Sequence, residues 1–371
     1  MIQSINQAFS PSISIIKRYP LLQVINMISK ADNADAQRAV ANIYNSYIAA
    51  AAIGAAWEVG LFEELRQHEH VHISEFATKQ SLDLKSTQGL VVSLVVVGIL
   101  QHEGDIVQTG RLFDEAYTQK SVFHWLALGS GTLFARMQYV LRKENRTGDY
   151  YTRDSVAIGY ACKDINTVHF DPIFWTAMKQ LDFSFHKVVD LGSGSGERLM
   201  EILNRYPNTK GLGIDVAAPA LQKSANDAVT RGFGDRLSFT LGDATNLEYR
   251  EEFADVDLLT CFLMGHDFWP RENCIASLQL LRSAFPKARR FLLGDTVRIL
   301  LNQTGLSKYA VTEESVPSFT LGFEFGHALM NTYIPTMEDW EGVFAEGGWR
   351  CVKQHLIETQ SLSVIFELEH A

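Results

Sequence analysis

The hydrophobic pattern of the chain changes near Lys187, where short apolar runs begin to alternate with amphipathic helical segments. The apolar runs have the length of single strands, and in chain order they read KVVDL, GLGIDV, RLSFTLGD, VDLLTCFLM and RRFLLGD. This alternation predicts a parallel sheet with helices on both faces. Only a few residues separate the last two runs, WRCVKQHLIE and LSVIFELE, which predict an antiparallel hairpin at the end of the sheet.

The chain before this point is mostly helical in pattern. An Ala-rich stretch over 36–57 has apolar residues at helical spacing, and residues 73–100 predict a helix, a short turn and a second helix. The segment QHEGDIVQTGRLF predicts a small hairpin that turns at Gly104 and Asp105. This order of elements is typical of a winged helix. Its most apolar run, at 90–100, is about half as long as a membrane span and is interpreted as a buried helix.

These patterns divide the chain into three parts. Residues 1–120 are predicted to form a helical, winged-helix domain, and residues 187–371 form the domain with the parallel sheet. Between them, residues 121–186 predict a mostly helical connector rich in aromatic residues, which contributes to a substrate pocket.

Composition and charge narrow the class of protein. Hydrophobic residues make up 46% and charged residues 20%, as in an ordinary globular protein, and the formal net charge is −10. Residues 1–120 hold 9 Lys and Arg against 12 Asp and Glu, and the second winged-helix helix has no basic residue after Lys85. This argues against nucleic-acid binding and against an anionic membrane surface. The uncovered Val and Leu side chains of that helix predict a homodimer.

The compartment follows from the cysteines and from the first residues. The four cysteines show no CxxC spacing, which is typical of a protein from a reducing cytoplasm. The first twenty residues interrupt their apolar positions with Ser, Asn, Gln and Pro, so no signal peptide is predicted.

A glycine-rich loop follows the first strand of the predicted sheet, in VVDLGSGSGERLMEIL at 188–203. Gly192, Gly194 and Gly196 allow a sharp turn and a close approach of the backbone to a ligand at the carboxyl edge of the sheet. A dinucleotide fingerprint would need a glycine at Glu197, and the GxxxxGK[ST] phosphate loop is absent.

With Asp190 ahead of it, the loop resembles the E/DxGxGxG signature of class I S-adenosylmethionine (SAM) methyltransferases. Asp215 ends the second strand, where an acid accepts hydrogen bonds from ribose hydroxyls in nucleotide sites. In the family, an acid at the position of Asp243 meets the adenine amino group, and a small residue such as Ala244 leaves room for the ring. The resemblance thus implies a Rossmann-like methyltransferase domain with these cofactor residues: Asp190, Gly192, Ser193, Gly194, Gly196, Asp215, Val216, Asp243, Ala244 and Phe262.

Over residues 36–370 the chain resembles small-molecule O-methyltransferases that dimerise through an N-terminal winged-helix domain. In that family a His-Asp pair after the fourth strand supplies a general base, and here CFLMGHDFW places His266 and Asp267 there. A neutral imidazole can remove a proton from a hydroxylated metabolite as its oxygen attacks the methyl group.

Two further residues resemble those of α-keto acid C-methyltransferases of the phenylpyruvate and ketoarginine type. The resemblance implies that His266, Asp295 and His327 hold iron or zinc beside SAM, with Asp267 orienting the imidazole of His266. A 2-oxo acid can chelate a metal ion, which stabilises the enolate formed when C3 loses a proton. Metal-assisted methylation at C3 of a 2-oxo acid is therefore the predicted reaction.

Two other functions remain open at this point. One is metal-free O- or N-methylation with His266 as the base, and the other is a non-catalytic regulator that senses SAM or binds DNA. A substrate carboxylate would favour a bidentate arginine, for which Arg153 in YYTRD is the candidate. Its alternative is a surface pair with Asp149 or Asp154. The histidines of HEHVH at 68–72 are interpreted as part of a solvated loop.

Overall fold

The structure is a computed structural model of the 371-residue chain, and it describes residues 30–357 and 362–371. The first twenty residues, for which no signal peptide is predicted, lie outside the described residues. Within the described ranges, no helix is long and apolar enough to cross a membrane.

The N-terminal part is mostly helical, as predicted. A small antiparallel sheet packs among its helices, and in it Ile106–Thr109 lies between Val71–His72 and Leu100–Glu103. The hairpin turns at Gly104 and Asp105, which confirms the predicted turn. The Asp105 carboxylate accepts hydrogen bonds from the amide and the hydroxyl of Ser74, at 3.0 and 2.6 Å, which ties the turn to a helix. The elements are α1 (Lys30–Glu58), α2 (Leu61–Gln67), β1 (Val71–His72), α3 (Ile73–Lys79), α4 (Leu84–Val96), β2 (Leu100–Glu103) and β3 (Ile106–Thr109).

The apolar run at 90–100 is only partly a buried helix, so this interpretation needs correction. Helix α4 ends at Val96, and strand β2 already begins at Leu100. Val91 and Leu94 are buried, whereas Val92 and Val96 are 49% and 64% exposed. Successive residues of a helix point in different directions, so a continuous apolar run presents apolar side chains on both faces of α4.

The connector is helical, as predicted, and two wide turns interrupt it. Both have π-helical hydrogen bonding, at Trp125–Gly129 and at Asn166–Phe170. Such turns insert one extra residue into a helix and are frequent at functional sites. The helices between β3 and the large sheet are α5 (Phe113–Thr118), which precedes the connector, and then α6 (Lys120–His124), α7 (Gly131–Ala135), α8 (Met137–Val140), α9 (Ser155–Ile165) and α10 (Asp171–Lys179).

The C-terminal part contains a seven-stranded sheet. The strands are β4 (Lys187–Leu191), β5 (Lys210–Asp215), β6 (Leu237–Leu241), β7 (Leu258–Phe262), β8 (Arg290–Thr296), β9 (Trp349–Ile357) and β10 (Ser363–His370). Their order in the sheet is β6-β5-β4-β7-β8-β10-β9. The first five strands along the chain are parallel, and the last two form the predicted antiparallel hairpin. The helices are α11 (Glu197–Arg205), α12 (Ala218–Thr230), α13 (Arg271–Ala284), α14 (Thr320–Met330) and α15 (Met337–Glu341). This is the predicted Rossmann-like α/β fold.

The order of the strands positions the site. Strand β4 pairs with β5 on one side and with β7 on the other, so the chain direction across the sheet reverses next to β4. Open α/β sheets bind ligands at the carboxyl ends of the strands at such a switch point. The glycine-rich loop after β4 and the segment after β7, which holds His266 and Asp267, are therefore neighbours.

Candidate active site

The glycine-rich loop is tied to the end of β5 by backbone hydrogen bonds. The amides of Gly192 and Ser193 donate to the carbonyl oxygen of Ile214 at 2.8 and 3.0 Å. The amide of Gly194 donates to Oδ2 of Asp215 at 2.9 Å. The predicted ribose acid thus also helps to hold the loop in place.

The three glycines meet different requirements, although each has a positive φ of 69°, 48° and 69° in chain order. A Cβ on Gly196 would lie 2.6 Å from the ring of Phe239, so this glycine is needed for packing. A Cβ on Gly192 would lie 3.2 Å from the side chain of Met264. Nothing lies within 4 Å of the corresponding point on Gly194, which therefore presents bare backbone to open space.

Asp190 supports the loop from inside the sheet. Its side chain is buried, and the hydroxyl of Thr260 donates to Oδ1 at 2.6 Å. Burial raises the pKa of Asp190 to about 6, and the positive charge of Arg198 opposes that rise. Asp190 therefore acts within the sheet and does not face solvent.

The other predicted cofactor residues lie at the carboxyl ends of β5 and β6. Oδ1 of Asp215 accepts the amide of Ala217 at 2.9 Å, and the next residue, Val216, is 69% exposed. Oδ1 of Asp243 accepts both the amide and the hydroxyl of Thr245, at 2.9 and 2.7 Å. Ala244 is buried beside it. The sheet thus brings these residues to the same edge as the loop.

Phe262 has surroundings different from those expected of a cofactor residue. Its ring packs on Phe170 and Phe174, with centroids 5.9 and 5.3 Å apart, in the core between the sheet and the connector. The guanidinium of Arg198 lies 3.7 Å from the ring centroid of Phe262. Met264, which the sequence reasoning missed, is the residue after β7 that packs against the glycine-rich loop.

His266 and Asp295 form a buried pair. Nδ1 of His266 lies 3.0 and 3.1 Å from the two carboxylate oxygens of Asp295, and the amide of His266 donates to Oδ2 at 2.6 Å. A Cβ at Gly265 would lie 3.0 Å from Oδ2, so a glycine there gives the carboxylate room. Burial lowers the pKa of His266, but the charge and hydrogen bonds of Asp295 outweigh it, and the pKa is raised overall.

The orienting acid therefore differs from the one predicted. Asp267 was expected to hold the imidazole of His266, but the carboxylate at hydrogen-bond distance from Nδ1 belongs to Asp295. The side chain of Asp267 is exposed in part. Desolvation raises its pKa, and the charges of His266 and Arg153 act in the opposite direction. The reason for the difference is that Asp295, at the end of the neighbouring strand, reaches under the turn at 265–268.

His327 lies beside this pair, as predicted. Its ring centroid is 4.9 Å from that of His266, and Nδ1 donates to the carbonyl oxygen of Phe323 at 2.7 Å. Since a carbonyl only accepts, Nδ1 carries the proton and Nε2 has the free lone pair. Burial lowers the pKa of His327 to about 3, aided by the charge of His266. His327 is therefore a neutral imidazole at physiological pH.

The predicted metal set does not fit this arrangement. The two histidines have the orientation of metal ligands, because an oxygen atom holds each Nδ1 and leaves Nε2 available. Asp295 does not have the orientation of a metal ligand, because its oxygens accept hydrogen bonds from the amides of His266 and Thr296 and from the imidazole of His266. Among the described residues, no group of three His, Cys, Asp or Glu residues is placed to hold a metal ion. The predicted iron or zinc site is thus not supported, and we assign no catalytic step to it.

Arg153 lies at the same site, as a substrate-binding residue would. It is half-buried, burial lowers its pKa, and its charge shifts the pKa values of His266, His327 and Asp267. In the described part of the chain it forms no ion pair, and the carboxylate of Asp154 instead caps helix α9 through two backbone amides. The alternative, a surface pair with Asp149 or Asp154, is therefore not formed among the described residues.

Several known proteins are similar to this chain in sequence or in fold. Residues 188–284 match the family described as methyltransferase domain. A relative from Aspergillus campestris, named Methyltransferase ungE', is 60% identical over 332 residues, which cover 90% of this chain and 97% of the relative. This chain belongs to the methyltransferase family. It is a SAM-dependent methyltransferase, which argues against the alternative of a non-catalytic regulator.

Three further likenesses bear on the enzyme. The indolepyruvate C-methyltransferase of Streptomyces griseus is 28% identical over 85% of the methyltransferase described here and 90% of its own length. Human N-acetylserotonin methyltransferase, solved in complex with SAM, has a TM-score of 0.66 and 17% identity, with 91% of this chain and 98% of the human chain covered. Mitomycin 7-O-methyltransferase gives a TM-score of 0.65 at 18% identity, over 92% of this chain and all of the other. These last two show the same fold.

Proposed function

We propose that the enzyme transfers the methyl group of SAM to C3 of a small 2-oxo acid, with His266 as the general base. The observation that carries this proposal is the buried His266–Asp295 pair, together with the half-buried Arg153, whose charge acts on His266 and which has no ion-pair partner in the described chain. The relative named indolepyruvate C-methyltransferase supports a 2-oxo acid as the acceptor.

In this reaction the protein binds and deprotonates the acceptor. Arg153 pairs with the carboxylate of the 2-oxo acid, which directs C3 toward Nε2 of His266. Nε2 takes the C3 proton, and the electrons of the C3–H bond form the C2–C3 double bond as the π electrons of the C2 carbonyl move onto its oxygen to give the enolate. Asp295 stabilises the imidazolium. Bound SAM supplies an electrophilic methyl group on a sulfonium. C3 then forms a bond to that methyl as the bond from carbon to sulfur breaks.

Residues of the glycine-rich loop and the neighbouring strand ends would hold the cofactor. Gly194 offers bare backbone, Asp215 has lone pairs for the ribose hydroxyls, and Asp243 has Oδ2 available beside the small residue Ala244. The exposed Val216 would cover the nucleoside. Phe262 acts at one remove, through packing under Arg198.

O- or N-methylation is the second candidate. The same imidazole and carboxylate pair could also remove a proton from a hydroxyl or an ammonium group. This alternative also needs no metal ion, and one of the solved structures with the same fold is named as a mitomycin 7-O-methyltransferase. The products distinguish the two reactions, because a C-methylated 2-oxo acid keeps its keto group and gains a new carbon–carbon bond.

The test is a panel of acceptors followed by mass spectrometry and NMR. We expect a mass gain of one methylene on an aromatic or aliphatic 2-oxo acid, with the new methyl carbon bonded to C3. Methylation confined to phenols or amines would contradict the proposal and favour the alternative. Elemental analysis of the purified enzyme, before and after chelator treatment, tests the metal-assisted version of the reaction. If the enzyme holds stoichiometric iron or zinc and loses its activity when the metal is removed, the metal-assisted reaction is the correct one.

We also infer that the enzyme is a homodimer that forms through residues 1–120 and works in the cytoplasm. Apolar side chains of α1 and α4 that are exposed in the single chain support the dimer. All four cysteines are free thiols, which supports a reducing compartment.

A further inference from the structure

Arg198 joins the cofactor loop to the connector. It is the second residue of α11, directly after the loop, and its side chain is 10% exposed. Nη1 donates to Oδ1 of Asp171 at 2.9 Å, and Nη2 donates to Oδ1 of Asn166 at 2.8 Å. One guanidinium therefore bridges the helix that begins at the loop and two positions of the connector.

Two aromatic rings fix the plane of this guanidinium. Its carbon lies 3.7 Å from the centroid of Phe262 and 4.7 Å from that of Phe174. Phe262 ends strand β7, three residues before the turn that holds His266. A planar, stacked and doubly hydrogen-bonded arginine is a rigid connection, which a lysine would not reproduce.

The partners of Arg198 sit at an irregular point of the connector. Asn166 begins the wide turn Asn166–Phe170, and Asp171 follows that turn. The amide nitrogen of the Asn166 side chain donates to the carbonyl oxygen of Cys162 at 3.0 Å, within helix α9. Since Arg153 lies two residues before α9, the connection runs from the cofactor loop to the segment that carries the proposed acceptor-binding arginine.

We propose that Arg198 is a positioning residue for SAM, which holds the glycine-rich loop in its binding geometry by fixing α11 on the connector. The inference rests on the loop as the cofactor site and is independent of the identity of the acceptor. It concerns geometry, so it applies equally to SAM and to its neutral product S-adenosylhomocysteine (SAH).

The test is calorimetric titration of purified Arg198→Met and Arg198→Lys with SAM and with SAH. We expect the Kd of both ligands to rise about tenfold or more in both variants, by the same factor for SAM and SAH. Arg205→Met is the matched control. Arg205 lies on the same helix and stacks on the connector at Trp175, at 3.7 Å, but at the far end from the loop, and its loss should leave both Kd values unchanged.

Several outcomes would overturn the proposal. Unchanged Kd values in the Arg198 variants would show that the connection has no role in cofactor binding. Recovery of wild-type affinity in Arg198→Lys, or unequal factors for SAM and SAH, would show an effect of charge alone. An equal loss in Arg205→Met would show a general effect of helix packing.

If Arg198→Met does not fold, as circular dichroism would show, Asn166→Ala removes one partner of the guanidinium and should raise both Kd values in parallel. SAH binding is measured without an acceptor and without turnover, so the result for Arg198 does not depend on which reaction the enzyme catalyses.

Discussion

At the scale of single residues, the imidazole of His266 has one nitrogen engaged and one available. Nδ1 lies within 3.1 Å of both oxygens of a carboxylate that is completely buried, and His327 keeps a second neutral ring 4.9 Å away. An imidazole held in this way is oriented in advance as a general base, because the tautomer with a free Nε2 is fixed.

Loss of either member of the pair should reduce turnover. We expect His266→Gln to lower kcat by roughly 10²- to 10⁴-fold, the usual contribution of a general base. Asp295→Asn should lower kcat less, because the imidazole stays but loses its orientation and the charge that stabilises the imidazolium. Steady-state assays measure both effects. The control is His186→Gln, since its side chain is 82% exposed and lies away from the site; a similar loss there would contradict the assignment.

The pH dependence follows from the same pair. The base must be neutral, so the rate rises with pH as His266 loses its proton. Burial lowers the pKa of His266, and Asp295 raises it above its ordinary value, so the acidic limb of the profile should lie above pH 6.5. In Asp295→Asn the raising charge is gone, and the midpoint should move to lower pH. A profile of kcat/KM against pH that does not move in this variant would show that another group titrates.

Arg153 should determine acceptor affinity. A charged hydrogen bond contributes about 1.5–3 kcal/mol, so Arg153→Met should raise KM for an acidic acceptor by roughly ten- to a hundredfold, with a smaller effect on kcat. Arg153→Lys should recover only part of it, because a lysine lacks the bidentate fork. Arg142→Met serves as the control, because that arginine is 69% exposed. If KM for the carboxylate substrate and for its ester change alike in Arg153→Met, the arginine does not bind the carboxylate.

At the scale of secondary-structure elements, the sequence predicted most of the fold. Strand-length apolar runs predicted the parallel strands, and short spacing predicted both hairpins, because these features depend on local periodicity. The wide turn at Asn166–Phe170 could not be predicted, since its extra residue is set by long-range partners such as Arg198.

The site was predicted in its location and less well in its contacts. Glycines and strand-end acids mark the carboxyl edge of a parallel sheet from sequence alone. Which acid reaches His266 depends on strand neighbours and on side-chain room, which Gly265 provides for Asp295. Phe262 and Met264 differ in a similar way: Phe262, the last residue of β7, packs toward the connector, whereas Met264, two residues later, packs against the glycine-rich loop.

The loop allows a test that separates backbone strain from cofactor contact. Gly194 and Gly232 both have a positive φ, 48° and 82°, and both have open space where a Cβ would lie. An alanine in this conformation costs about 1–2 kcal/mol, so Gly194→Ala and Gly232→Ala should lose comparable stability in chemical denaturation. Only Gly194→Ala should also weaken SAH binding, by about tenfold, because its Cβ would stand where the bare backbone meets the ligand. Equal SAH affinity in the two variants would contradict the placement of the cofactor.

At the scale of the whole molecule, one helix leaves an apolar stripe in solvent. Val40, Ile43, Tyr44, Tyr47 and Ile48 are between 42% and 71% exposed in the single chain. Their spacing of three, four, seven and eight residues places them on one face of α1. Soluble monomers rarely expose such a stripe, so a partner surface is expected to cover it. The charge of −10 disfavours an anionic membrane as that partner.

A second copy of the chain should therefore cover this stripe, together with Val92 and Val96 of α4. Ile43→Asp combined with Tyr47→Asp would bury unpaired like charges in a symmetric interface, which disfavours association strongly. Light scattering should then give a mass near 41.6 kDa, against twice that mass for the wild type. Val229→Asp is the control, because this residue is 68% exposed on α12 of the SAM-binding domain and should leave the dimer intact. A wild-type mass of one chain at micromolar concentration would rule out the homodimer. If Val229→Asp also dissociated the dimer, the interface would have to include the domain with the seven-stranded sheet.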